Sequence, residues 1–216
     1  MQSDAKGLEE MRRLGVPRPP AVAVGDRVVH GWNPEEYARL VGVDYAAAIK
    51  LSPRELGARL DAILAAAQDI IRILPADRIG WKPPERDRSL GDLAFHVFRV
   101  GGSFADAMDL GALPEGWFGE RAPSDLTDGE GLARYGALVR ARVAGWLEGA
   151  ADSEFDRVIK CYYGPQGAHE FMERTTWHAA QHLRQLHILY ERIGLRPPAP
   201  LDQKLLDRLP LPASIW

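Results

Sequence analysis

Cysteine is almost missing from this chain of 216 residues: Cys161 is the only one. A lone cysteine excludes an internal disulfide framework, a Cys-x-x-Cys redox pair and a cysteine-rich zinc site. It fits a reducing compartment, and a cytoplasmic protein is expected. Also missing is any apolar run near the roughly 20 residues of a membrane span. The N-terminal stretch through Met11-Arg12-Arg13 lacks the apolar segment of a signal peptide. Charge of one sign does not build up: 27 basic residues face 30 acidic ones, for a net charge of −3. Both signs are mixed along the chain, so nothing electrostatic points to nucleic acid or an anionic membrane as partner. There is no internal repeat and no low-complexity tract. What is present, 46% apolar and 26% charged residues, is the composition of a globular protein. The length suits one well-buried domain with a small appendage.

The chain divides into two unequal parts, 1–45 and 46–216. In the first, an amphipathic helix is predicted from about Ser3 to Leu14. Val16-Pro17-Arg18-Pro19-Pro20 then breaks it, because proline lacks the amide hydrogen and restricts its neighbour. Ala21–Val24 and Arg27–His30 flank Gly25-Asp26 and read as a β-hairpin. Asn33 as cap and Pro34 in the first turn open a second helix that ends near Gly42.

The second part reads as almost all helix. Ser52-Pro53-Arg54-Glu55 is a capping box with proline at the first helical position. Leu56, Leu60, Ile63, Leu64, Ala67, Ile70, Ile71 and Leu74 follow at helical spacing up to Pro75. A second long helix is predicted from Ser89 through His96 to Leu110, a third from about Asp128 to Glu148, and a fourth from about His169 to Ile193. Gly194 stops the last one. The segment Phe155–Tyr163 is undecided between helix and strand, and the tail Pro210–Trp216 is expected to be ordered by packing. Four long amphipathic helices predict a mainly α protein, a four-helix bundle with a small N-terminal α-β-hairpin-α appendage. The long loop Gly111–Thr127, which carries Trp117 and Phe118, permits a crossover.

The strongest chemical signal is Thr176-Trp177-His178-Ala179-Ala180-Gln181-His182. At about 100° per residue, His178 and His182 project from one helix face about 40° apart. Two imidazoles so placed can share a metal; they can equally be two solvated or hydrogen-bonded histidines. A third ligand has to come from another helix. His96 is the candidate, since Leu93, Val97 and Val100 put it near the apolar side of its helix. Three neutral imidazoles suit zinc, nickel, iron or copper rather than magnesium or calcium. Three protein ligands leave coordination positions open, as in catalytic sites. His187 falls about 180° round the helix from His178, His169 lies too far along its axis, and His30 belongs to the hairpin. These three read as ordinary surface or interface histidines.

Two segments carry a resemblance. Leu90-Gly91-Asp92-Leu93-Ala94-Phe95-His96 and Glu173-Arg174-Thr175-Thr176-Trp177-His178-Ala179-Ala180-Gln181-His182-Leu183-Arg184-Gln185-Leu186 resemble the DinB/YfiT-like superfamily over roughly residues 50–200. The resemblance implies a metal triad of His96, His178 and His182 inside a four-helix bundle. It also implies a chemistry. Members include mycothiol-dependent maleylpyruvate isomerase, S-transferases using bacillithiol, mycothiol or glutathione, and metal-dependent hydrolases. The related iron sulfoxide synthases have His-x-x-x-His-x-Glu; Arg184 stands at that last position here, which argues against that branch. Residues 11–36 resemble the C-terminal half of a glutaredoxin, with Val16-Pro17 at the place of its cis-proline, but the Cys-x-x-Cys portion is absent.

The resulting expectation is a protein binding one divalent transition metal (Zn, Ni or Fe) that acts as a thiol-dependent S-transferase or isomerase on a small electrophile. Its partners would be a small-molecule substrate and a low-molecular-weight thiol, and a homodimer is plausible. The rivals are a hydrolase working through hydroxide generated at the metal and a non-catalytic metal- or ligand-binding stress protein. Glu173 is read either as an acceptor for an imidazole N–H or general base, or as a surface charge. Cys161 is read as packed and inert. Phe95 and Trp177 are read as packing beside the ligands, and Tyr162 and Tyr163 as packing or pocket lining.

Overall fold

The computed structural model describes residues 5–16, 21–31, 34–44 and 51–215. The N-terminal part holds α1 (Ala5–Arg13), the antiparallel strands β1 (Ala21–Val24) and β2 (Arg27–His30), and α2 (Pro34–Val41). Gly15 and Gly42, both at positive φ, end the two helices. Pro17 and Asn33, which carried the cis-proline and capping expectations, lie outside the described residues.

The second part is built on α3 (Pro53–Arg72), α4 (Leu90–Leu110), α5 (Gly129–Gly149) and α6 (Ala168–Arg192). The starts follow local chemistry. Ser52 Oγ accepts from Glu55 N at 3.3 Å while Glu55 Oε2 accepts from Ser52 N at 2.7 Å. Ser89 Oγ accepts from Asp92 N at 3.1 Å, and Asp128 Oδ1 from Gly131 N at 2.7 Å. Each satisfies a donor that the first turn would leave orphaned. Asp128 is thus the cap of α5 rather than its first residue, and the helix runs to Gly149.

α3 packs on α5 and α6, and α4 packs on the same two helices, so α3 and α4 lie across the bundle from each other. Directions follow from the contacts. Gly57 of α3 faces Leu147 near the end of α5, and Gly129 at the start of α5 faces the carbonyls of Ile71 and Leu74, so α3 and α5 are antiparallel. Phe98 covers Gly136, and Arg142 meets Asp106 at 3.7 Å, so α4 and α5 run parallel. Parallel neighbours need a connection that returns the length of the bundle. The long segment between Leu110 and Gly129 supplies it.

That crossover is structured. Ala112–Leu113 forms β3, and Glu115–Gly119 a 3-10 turn. The undecided segment resolves into a 3-10 turn, Asp152–Asp156, and strand β4 (Val158–Cys161). β4 pairs parallel with β3 and antiparallel with β5 (Gly164–Gly167). No helix among the described residues is long and apolar enough to cross a membrane.

The core fills the space between the four helices with side chains such as Leu60, Leu64, Phe98, Phe104, Phe171 and Tyr190, all buried. Leu60, Leu64 and Ile71 come from the predicted apolar stripe of α3.

Candidate metal centre

α4 and α6 run antiparallel, as Phe104 against Phe171 at one end and His96 against His182 at the other require. That pairing brings His96 to the two histidines one turn apart on α6. Ring centroids lie 5.5 Å apart for His96 and His178, 4.8 Å for His96 and His182, and 4.6 Å for His178 and His182. One ligand nitrogen from each ring can be chosen so that all lie within 4.8 Å of one another, a spacing that could hold a metal ion.

Each ring also carries a buried nitrogen with no hydrogen-bond partner among the described residues: Nδ1 of His96, Nδ1 of His178 and Nε2 of His182. Buried polar atoms are nearly always satisfied. Three such nitrogens, one on each ring of a cluster drawn from two helices, fit a cation ligated by neutral imidazoles. His182 is further fixed by its other nitrogen, since Nδ1 lies 2.7 Å from Gln185 Oε1. An amide oxygen only accepts, so Nδ1 carries the proton and Nε2 is left with its lone pair free. Gln185→Leu is therefore expected to weaken zinc binding about 10–100-fold, as loss of a ligand-orienting partner does. Competition with a chromophoric chelator measures it; unchanged affinity would contradict the assignment.

The triad is held neutral. Burial, reinforced by His182 and by Arg88, drives His96 far below the ordinary imidazole range. Burial, with His182 and His96, does the same to His178. Burial lowers His182 to about 4, against the opposing pull of the Gln185 bond. Neutral rings need lose no proton to bind a metal near neutral pH. A stability prediction follows for the metal-free chain. The unfolded histidines take up protons below about pH 6.5 while the folded ones do not, so stability is full above that pH and falls as pH drops toward 4. The expected loss is about 1.4 kcal/mol per pH unit for each histidine involved. Urea unfolding of chelator-treated protein between pH 7.5 and 5 reads it; a flat profile would contradict a buried neutral triad.

A cavity of about 580 Å³ opens beside the rings. Its wall includes His178, His182, Trp177, Gln181, Leu93, Leu189 and Arg88, together with Pro212 and Ile215 of the C-terminal tail. His178 is the half-buried member of the triad, and His96 and His182 are buried.

The family model of the DinB superfamily matches residues 59–186, more than half of the chain. The chain belongs to the DinB superfamily. The matched DinB region contains all three histidines. Among solved structures, a DinB-like protein, YjoA of Bacillus subtilis, is similar with a TM-score of 0.55 and 17% identity, over 68% of this chain and 96% of that one. At that identity the likeness is one of fold. No curated protein matches the chain. The DinB match does not extend to residues 1–45, and the glutaredoxin resemblance of that segment gains no support from it.

The remaining candidate residues divide. Glu173 is half-buried on α6 and does not join the histidine cluster. It precedes His178 by five residues, about 140° round the helix. His30 is exposed on β2; His169 lies with Nε2 2.8 Å from the Leu51 carbonyl; His187 is half-buried outside the cluster. Cys161 is buried in β4, and burial raises its thiol, so it stays protonated at neutral pH. Phe95 stacks on Tyr135 at 5.0 Å, whereas Trp177 lines the cavity. Tyr163 is buried and carries the Arg174 guanidinium 4.3 Å above its ring.

Sequence reasoning missed several residues around this DinB site. Phe118, in the crossover, sits 5.6 Å from the His178 ring and 6.0 Å from that of His96. It covers the triad on the side where Arg174 stacks, 5.9 Å away. The tail is held by hydrogen bonds as well as packing. Arg184 Nη1 donates to the Pro212 carbonyl at 2.8 Å, Gln181 Nε2 to that of Ile215 at 3.1 Å, and Gln185 Nε2 also to that of Ile215. Aromatic residues in a long loop, and glutamines one turn from a ligand, were the available signals.

Proposed function

We propose that this DinB protein holds one divalent transition metal, zinc, nickel or iron, through His96, His178 and His182, and acts as a thiol-dependent S-transferase or isomerase on a small electrophile. One observation carries the metal reading: three clustered imidazoles, each with a buried nitrogen that has no partner among the described residues, two of them lining a cavity. A bound ion would supply Lewis acidity, lowering the pKa of a thiol or water that reaches it.

The chain's own residues do the rest. Gln185 fixes the tautomer of His182. Phe118 shields the rings from water on one side. Leu93, Leu189, Pro212 and Ile215 give the cavity apolar walls, and its volume of about 580 Å³ suits a small organic molecule. The thiol direction rests on the kinship with thiol-using DinB-like enzymes. The lone cysteine fits a cytoplasmic setting in which free thiols persist.

The test incubates metal-loaded protein with bacillithiol, mycothiol or glutathione and a chromogenic aryl halide. Metal-dependent conjugation with at least one thiol, lost in His178→Ala, is expected. Absence of thiol-dependent turnover across the panel would overturn the transferase reading. Ester hydrolysis without added thiol would instead favour a hydrolase.

A further inference from the structure

Besides His178, His182, Gln181 and Gln185, the histidine cavity is lined by three charged residues, Arg86, Asp87 and Arg88. Asp87 is committed to Lys82 at 2.5 Å. Arg88 is different. Its side chain is partly buried, yet its one hydrogen bond among the described residues is a long one, Nη2 to the Phe118 carbonyl at 3.5 Å. It makes no ion pair among the described residues. The carboxylate in its electrostatic surroundings, Asp92, is already taken: it binds Arg121 at 2.6 Å and accepts from Ala122 N at 3.1 Å. A guanidinium has five N–H donors and stays charged in proteins. Most of those donors are therefore uncommitted among the described residues, in the wall of the cavity that His178 and His182 also line.

Withdrawing a cation from water without a counter-charge costs free energy. Among the described residues, no ion pair and no short hydrogen bond repays that cost at Arg88. A divalent ion on the triad adds charge of the same sign. A ligand entering this cavity meets the positive charge of Arg88 in the same wall as His178 and His182, with Leu93, Leu189, Pro212 and Ile215 also lining it. The planar fork of arginine matches a carboxylate in a bidentate way.

We propose that Arg88 is the carboxylate-binding residue of this cavity, so that the ligand reaching the histidines is a small acid whose carboxylate pairs with Arg88. The inference rests on the metal-and-thiol reading above and names the class of thiol or co-substrate that site takes. It assigns Arg88 to ligand selection; the histidines hold the ion.

Isothermal titration of zinc-loaded protein with three probes tests it: mercaptoacetate, 2-mercaptoethanol and acetate. Mercaptoacetate is expected to bind at least about tenfold more tightly than 2-mercaptoethanol, the size of one charge-assisted bidentate contact. In Arg88→Met that preference should vanish while 2-mercaptoethanol affinity stays the same; Arg88→Lys should keep part of it. Equal affinities in the wild type, or a preference kept by Arg88→Met, would overturn the proposal. Binding of neither thiol would sink the thiol reading instead, and acetate then decides for Arg88. Acetate binding that Arg88→Met abolishes supports the assignment. Acetate that binds both proteins equally, or neither, overturns it.

Discussion

His178→Ala should strip the protein of its metal. Elemental analysis of the purified wild type should return about one transition-metal ion per chain, and the variant close to none, because two imidazoles from different helices leave a divalent ion short of the three protein ligands of an open site. The thermal readout is sharper. An ion present at about a thousandfold its dissociation constant stabilises the folded state by about 4 kcal/mol. For a chain of this size that corresponds to a rise in Tm of roughly 8–16 °C on adding zinc. His178→Ala should show almost none of this rise. The metal-free chain should behave differently. There the substitution removes a buried nitrogen that has no partner among the described residues, so the loss is limited to the packing of a half-buried ring. A large loss in metal-free protein with unchanged metal content would mean that His178 packs rather than ligates.

Gly136→Ala is expected to be strongly destabilising. A Cβ at Gly136 would lie 2.3 Å from Cζ of Phe98 and 2.5 Å from its Cε1. The Phe98 ring is fully buried and cannot swing out to solvent. α4 and α5 must therefore separate, at a cost of about 3 kcal/mol, the upper range of ordinary overpacking. The consequence reaches the site, because Phe98 stands two residues after His96 on α4. Moving α4 moves His96 away from α6. Both a lower urea midpoint and weaker zinc binding are expected. A variant with wild-type stability and zinc affinity would show that the contact between α4 and α5 yields easily. Phe98→Leu in the same background should restore part of the stability, since it withdraws the ring atoms that clash.

Much of this arrangement was legible in the chain. Helical periodicity alone puts His178 and His182 on one face, and the capping box at Ser52 locates the start of α3. His96 could be chosen from the apolar pattern around it. Its meeting with the other two could not, because that depends on α4 and α6 being antiparallel neighbours, a property of the whole bundle. The family resemblance supplied what local pattern lacks. The crossover was foreseen as a long loop; its necessity follows from the parallel run of α4 and α5.

Other features were beyond local reasoning for a common physical cause. β5 is Gly164-Pro165-Gln166-Gly167, with no β-branched residue, and it becomes a strand through pairing with β4. Phe118 covers rings of His96, 22 residues earlier, and His178, 60 residues later. The tail carbonyls meet Gln181 and Arg184 across about thirty residues. Glu173, read from the sequence as an imidazole acceptor or general base or else as a surface charge, lies five residues before His178 and so about 140° from it round the helix. Arg184, in the position where a related enzyme branch has glutamate, anchors the tail through the carbonyl of Pro212.

The central claim is that three histidines from two helices hold one ion with positions left open. Anomalous scattering from crystals grown with zinc, recorded on both sides of the zinc absorption edge, tests it directly. The account predicts one peak bonded to a nitrogen of each of His96, His178 and His182 at about 2.0–2.1 Å, with no fourth protein ligand. A zinc peak elsewhere with none between these rings, or a fourth side chain closing the coordination sphere, would contradict it.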